Sequence, residues 1–197
     1  MGDVMKKRIK RLAVLASGNG TTLQAIIDSI QSNELDAEIK IVISNNSDAY
    51  ALTRANEAGI KTYILNDYND QDELYSVLKE AKVQLVVLAG YLKLIPVKVI
   101  DSFPIINTHP ALLPKYGGKG MYGMNVHKAV VLNHEKETGA TLHFVNSEYD
   151  KGKIISQIKV KVSKNDTPLD VSRKVQAAEK VQLVNVLKDF SKGLIEV

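Results

Sequence analysis

"LAVLASGNGTTLQAIID", residues 12–28, decides the reading of the fold, because an apolar run passes directly into a glycine-bearing turn and then into a helical pattern. Arg11 to Ser17 read as a buried strand, and Leu23, Ile26, Ile27 and Ile30 recur at helical spacing from Thr21 to Gln31. Such a turn gathers free backbone N–H groups and the positive end of a helix dipole at one place, which makes an anion site. Gly18 and Gly20 let a ligand approach the backbone closely, and the hydroxyls of Thr21 and Thr22 add donors. A tight strand-to-helix turn is also what any α/β protein needs, so the stretch alone leaves a purely structural role open. It matches neither GxGxxG nor GxxxxGK[ST], and the next strand ends in Ser44-Asn45-Asn46 with no acid for a ribose diol. A phosphate monoester therefore fits better than a nicotinamide dinucleotide.

Outward from this unit, strand and helix patterns alternate. Glu38 to Ser44 read as a strand, and a helix begins near Asp48 and stops at Gly59. Thr62 to Leu65, a helix from about Asp70 to Ala81, and the apolar Val83 to Gly90 continue the rhythm. Apolar strands alternating with helices predict an α/β fold, a mostly parallel sheet with helices on both faces. The second half departs from it. Ile105 to Asn107 end a short strand, residues 108–125 form a long Pro- and Gly-rich loop, and a helix follows around Val126 to Leu132. Ala140 to Val145 and Lys153 to Val162 read as paired strands closing one edge of the sheet, before a long helix from Thr167 to Lys192 with Gly193 as its stop.

The 197 residues suit one domain, 1–197. A net charge of +4, partly in the run Met5 to Leu12, does not by itself imply nucleic acid. There is no cysteine, so disulfides, thiolate chemistry and the usual structural zinc sites are excluded. The basic N-terminus and the apolar run after it are too short for a secretory signal, and Lys6 stands where a myristoylation signal needs Ser or Thr. No stretch approaches the ~18 apolar residues of a membrane helix. A cytoplasmic protein is expected.

The richest chemistry lies in "INTHPALLPKY" (residues 106–116). Pro110 biases His109 toward an extended conformation, and in an extended chain Asn107 and His109 project to the same side. An amide donor and an imidazole aimed at one volume suit a carbonyl whose oxygen turns negative as a nucleophile adds. A turn cap and a packed loop histidine are the bland alternatives. Asp150, in "SEYDKG" between two strands, is either ordinary turn chemistry or a carboxylate that orients and charges His109 or holds a water that ferries a proton from an attacking amine. His127 and His143 read as supporting imidazoles. Without Cys or HExxH spacing, no metal site is expected.

Taken together, "SGNGTTLQAIID", "VVLAGYLKLI", "INTHPALLPKY", "GATLHFV", "YDKGKIISQ" and "VQAAE" resemble the glycinamide ribonucleotide formyltransferases over nearly the whole chain, from about Arg8 to Lys192. The resemblance implies a Rossmann-like three-layer sandwich with antiparallel strands at the C-terminal edge. It also implies transfer of formyl from 10-formyltetrahydrofolate to the amine of a ribonucleotide in purine biosynthesis, without a metal. It assigns Asn107, His109 and Asp150 to catalysis. Gly18, Asn19, Gly20, Thr21, Thr22 and Glu179 fall to the ribonucleotide, and Leu92, Lys93, Leu94 and Ile95 to the folate pocket. Asn146, Ser147, Glu148 and Tyr149 fall there too, with Asn107 and Asp150 shared. Thr21-Thr22 replace the family's common Ser-Asn, the loop through residues 115–126 is longer than usual, and the stretch near residues 70–75 is shorter and lacks a common basic residue.

Small-molecule substrates, no nucleic acid, no membrane, and a monomer or homodimer are the expected partners and state. Formyltetrahydrofolate hydrolases and methionyl-tRNA formyltransferases share the same triad but carry a further domain, for which this length leaves no room. A non-catalytic folate- or nucleotide-binding module is the rival from another class.

Overall fold

The strand, turn and helix of residues 12–28 form where their pattern predicts. In the computed structural model, which describes residues 8–196, β1 (Arg11–Leu15) leads through the turn into α1 (Thr21–Gln31). Met5 to Lys7 of the basic run, with position 6, lie outside the described residues. Gly20 caps α1 at φ 71°, in the left-handed region. A Cβ there would lie 2.7 Å from both Cα and Cβ of Ala51, so the turn and the close approach of the next helix both require glycine.

The chain continues as β2 (Glu38–Ser44), α2 (Tyr50–Glu57), β3 (Thr62–Ile64), α3 (Gln71–Glu80), β4 (Leu85–Leu88), α4 (Val97–Ile100) and β5 (Ile105–His109). It ends with α5 (Met124–Leu132), β6 (Glu137–Phe144), β7 (Ile154–Lys161) and α6 (Pro168–Lys192). The strand order is β3-β2-β1-β4-β5-β6-β7. Pairings of β1 with β2 and β4, and of β2 with β3, are parallel, while β5–β6 and β6–β7 are antiparallel. This is the mostly parallel α/β sheet with an antiparallel C-terminal edge that the patterns predict. The chain divides into two compact units, one of residues up to Ile105 with those from Val184 onward, the other Ile106–Leu183.

In the first unit Leu12, Val14 and Leu15 of β1, Ile41, Val42 and Ile43 of β2, and Leu85, Val86 and Val87 of β4 are all fully or almost fully buried. Each contributes ~1.5–3 kcal/mol by leaving water, which makes these strands the core of the unit. Asp70 starts α3 by accepting from the backbone N–H groups of Asp72 and Glu73, as its position ahead of the helix predicts. The short α4 was not legible in the sequence, since four residues carry no helical period.

The second unit rests on β6, buried from Thr138 to His143, against β7, whose residues alternate between half-buried and exposed from Ser156 onward. Val130, Ala140, Val171 and Val175 form its core cluster, with Tyr116 and Ile158 packed against it. Several boundaries differ from the sequence reading: β1 ends at Leu15 rather than Ser17, β4 keeps only Leu85–Leu88, and β6 begins at Glu137 rather than Ala140. β5 runs on through Thr108 and His109, because β6 pairs with it as far as His109 opposite Thr141. Partner hydrogen bonds thus extend a strand that apolar pattern alone would end at Asn107. No described helix is long and apolar enough to cross a membrane.

A Cβ added to Gly139 of β6 would lie 1.9 Å from the backbone carbonyl oxygen of Ile158, an atom that cannot move without breaking the pairing. Gly139→Ala is expected to destabilise the protein by about 2–3 kcal/mol, read as a lower urea midpoint, against a wild-type-like midpoint if the strands yield freely.

Candidate active site

The extended backbone of β5 sends Asn107 and His109 to one side, two residues apart. Facing His109 is Asp150, which follows the exposed residues Asn146 to Tyr149 and sits at φ 56°. Asp150 Oδ2 lies 3.4 Å from His109 Nδ1 and accepts from the Gly118 N–H at 2.9 Å, and its Oδ1 lies 3.7 Å from His143 Nε2. The other nitrogen of His109, Nε2, is 2.8 Å from the Tyr116 carbonyl oxygen. His143 Nδ1 faces the Phe144 carbonyl at 2.9 Å, which leaves its Nε2 to accept from the Asn107 amide nitrogen at 3.2 Å. His143 therefore orients the amide of Asn107, whose second N–H remains available to a ligand.

The side chains of His109 and His143 are 4% and 3% exposed and that of Asp150 12%, so their interactions are little screened by water. Burial raises the proton affinity of Asp150, but the imidazoles of His109 and His143 facing its oxygens, the Gly118 N–H bond and the charge of His109 outweigh it. The carboxyl is held well below the usual carboxylate range and stays ionised. His127, on α5, is also buried, with no partner for Nδ1, and burial followed by the charge of His109 holds its pKa down. Glu179, on α6, keeps partial exposure, yet burial pushes its carboxyl up to about 7 against the opposing charge of Lys180.

The glycine turn is braced by a side chain that the sequence reading passed over. Arg54 of α2 donates from Nε to the Asn19 carbonyl at 2.8 Å and from Nη1 to Gln24 Oε1 at 3.1 Å. The Ala51 N–H also bonds the Gly18 carbonyl at 3.0 Å. Thr21 and Thr22 open α1 half-buried, with no side-chain cap bond at its start. Ser17 connects the turn to the Leu92–Ile95 segment, since its Oγ accepts from the Leu92 N–H at 3.1 Å and donates to Asn45 Oδ1 at 2.6 Å. Leu92 and Leu94 stay 61% and 53% exposed, Ile95 is buried, and the Lys93 ammonium sits 4.3 Å over the ring of Tyr68. In the turn before Asp150, Asn146 Oδ1 accepts from the Glu148 N–H at 3.0 Å, while Glu148 pairs with Lys151.

The family model for formyl transferase matches residues 10–187. The chain belongs to the formyl transferase family. The phosphoribosylglycinamide formyltransferase of Haemophilus influenzae is 37% identical, over 96% of this chain and 91% of that protein. The chloroplastic phosphoribosylglycinamide formyltransferase of Arabidopsis thaliana is 38% identical over 94% of this chain, which spans 67% of the plant protein, and 61% of its counterpart from Vigna unguiculata. Glycinamide ribonucleotide transformylase 1 of Symbiobacterium toebii superposes with a TM-score of 0.88 at 32% identity, over all of this chain and 94% of that one. The backbone groups of Tyr116 and Gly118 around His109 and Asp150 carry no side-chain signal, which is why the sequence reading missed them.

Two stability experiments follow from the opposite shifts of the carboxyls. Asp150 titrates lower folded than unfolded, so its contribution is full above the ~3.9 of a free aspartate and fades as pH falls further. The urea-midpoint gap between wild type and Asp150→Asn should narrow on acidification, and a constant gap would show that Asp150 is not held ionised. Glu179 titrates higher folded than unfolded, so it costs stability as pH rises from ~4.3 toward 7. Glu179→Gln should therefore match wild type near about pH 4 and exceed its midpoint near about pH 8.

Proposed function

We propose that residues 1–197 act as one formyltransferase domain, moving the formyl group of 10-formyltetrahydrofolate onto the amine of 5′-phosphoribosylglycinamide to give formylglycinamide ribonucleotide and tetrahydrofolate in de novo purine biosynthesis. One observation carries the reading: a nearly buried carboxylate, Asp150, faces the imidazole of His109 beside an amide, Asn107, that keeps a free donor. That set suits addition of a neutral amine to a carbonyl. The names of the relatives support the same substrates.

The reading assigns the ribonucleotide phosphate to the turn of Gly18, Asn19, Gly20, Thr21 and Thr22, where helix N–H groups and a braced backbone favour an anion. Glu179 contacts the same substrate. The exposed apolar faces of Leu92 and Leu94, with Lys93, offer a surface that fits a flat ring system, and the reading also assigns the buried Ile95 and Asn146 to Tyr149 to the folate. The folate brings the activated formyl carbon.

Attack by the amine nitrogen forms the new C–N bond and places the electron pair on the formyl oxygen. Asn107 Nδ2 and the protonated His109 donate to that oxygen, and the ionised Asp150 stabilises the imidazolium. Asp150 then helps carry away the proton lost by the amine. Collapse returns the pair to the carbonyl, breaks the bond to the folate nitrogen and delivers a proton to it. The cysteine-free composition suits a reducing compartment, and the reading includes a cytoplasmic site of action as a monomer or homodimer.

The test is formyl transfer by the purified protein, following deformylated folate by absorbance with and without the ribonucleotide. Turnover should require the ribonucleotide, fall about 10²–10⁴-fold in kcat in His109→Ala and about 10²–10³-fold in Asn107→Ala. Deformylation indifferent to the ribonucleotide would mean a hydrolase, and binding of both substrates without turnover would mean a binding module.

A further inference from the structure

Gly20 sits in the left-handed region at φ 71° and ψ 25°, and Thr21 after it opens α1. A turn of this kind directs successive backbone N–H groups toward one concavity, so those of Gly20, Thr21 and Thr22 form a nest for an anion. The Gly20 N–H shares a planar peptide with the Asn19 carbonyl, and in a trans peptide the two point in opposite directions. Turning that peptide over would withdraw the N–H and set a carbonyl oxygen, which only accepts, against the anion. Glycine resists this little, because both signs of φ are open to it. The orientation has to be held from outside the turn.

Arg54 of α2 holds it. Its Nε donates to the Asn19 carbonyl at 2.8 Å, its Nη2 lies 3.4 Å from Asn19 Oδ1, and its Nη1 donates to Gln24 Oε1 at 3.1 Å. The guanidinium also lies 4.9 Å from the ring centroid of Tyr50, within cation–π range. The preceding peptide is tied in the same sense. The N–H of Ala51, in the first turn of α2, donates to the Gly18 carbonyl at 3.0 Å, which turns the Asn19 N–H away from α2. Among the described residues no backbone carbonyl accepts from the Asn19 or Gly20 N–H. Two bonds from α2 thus draw two carbonyls toward that helix and leave two N–H groups facing away from it.

We propose that Arg54 is a positioning residue for the ribonucleotide phosphate, its grip on Asn19 fixing the peptide that presents the Gly20 N–H to the anion. The proposal rests on the assignment of the phosphate to this turn, though not on formyl transfer. Lysine would keep the charge but lacks the planar fork that bonds Asn19 and Gln24 together, so charge and positioning separate in Arg54→Lys. A guanidinium that merely fastened α2 to α1 would affect stability without regard to the phosphate.

The experiment is calorimetric binding of glycinamide ribonucleotide and of its dephosphorylated riboside to the full chain, with kcat and KM for formyl transfer, in wild type, Arg54→Lys and Arg54→Met. Wild type should prefer the ribonucleotide. Both variants should weaken its binding by about ten- to a hundredfold and change riboside affinity by less than about twofold. KM for the ribonucleotide should rise by a similar factor, with kcat and the folate KM within about threefold. Amide NMR of the wild type gives a readout that needs no variant to fold: the Gly20 amide proton should move downfield when the ribonucleotide binds, and not with the riboside. Wild-type affinity in Arg54→Lys, equal losses for ribonucleotide and riboside, or a Gly20 amide indifferent to the phosphate would overturn the proposal. The expected binding losses in a protein that transfers no formyl would instead sink the formyl-transfer reading and leave the role of Arg54 standing.

Discussion

Everything in the second unit near β5 answers to the ionised carboxylate of Asp150. A charge almost removed from water costs several kcal/mol unless it is paired and hydrogen-bonded, so its partners cannot be incidental. They come from three places in the chain: His109 from β5, His143 from β6, and the Gly118 N–H from the segment after Pro114. The constraint reaches the backbone of the aspartate's own turn. Asp150 sits at positive φ, and two residues later a Cβ on Gly152 would lie 1.6 Å from the Phe144 carbonyl oxygen. The turn therefore lies tight against the end of β6, and a glycine is required for that approach.

The antiparallel edge is what makes this convergence geometrically simple. Although residues 110–136, α5 among them, separate the two strands, β6 pairs with β5 in antiparallel register and puts His143 opposite Asn107. The register of β6 against β7 then shifts between Leu142 and His143. Such irregularities bend a strand and re-aim side chains, and here the shift sits at the imidazole that bonds the Asn107 amide. Asn107 is thereby oriented by a neighbour on the sheet, and His109 by a neighbour in the following loop.

The elements most legible in the sequence were those whose period is set by burial on a sheet. Thr21 to Gln31 and Glu38 to Ser44 match their patterns residue for residue, because buried strands and one-sided helices leave apolar spacing behind. Asn107, His109 and Asp150 could be singled out because side-chain chemistry is written in residue names. What stayed hidden is of three kinds. β5 gains Thr108 and His109 from pairing, a tertiary effect that local pattern does not encode. Tyr116 and Gly118 act through carbonyl and amide groups that every residue possesses, so only the conformation reveals them. Arg54 is a third case, since one arginine on a helix face looks like any solvated charge until Asn19 and Gln24 are seen around it.

The environments of two carboxyl groups show how one small unit shifts two acids in opposite directions. Both are desolvated, and desolvation alone would neutralise both. Asp150 escapes because an N–H and two imidazoles face its oxygens, and it stays a charge. Glu179 has only the opposing charge of Lys180, which leaves its carboxyl near 7, divided between acid and carboxylate at neutral pH. A ligand that brings hydroxyl or ammonium donors to Glu179 would supply what Asp150 already has, drawing the proton off as it binds. Asp150 is thus preorganised for charge before any ligand arrives, whereas the charge on Glu179 becomes complete only with one. In the proposed formyl transfer, a permanent charge fits the role assigned to Asp150 beside an imidazolium, and a conditional one fits the recognition assigned to Glu179.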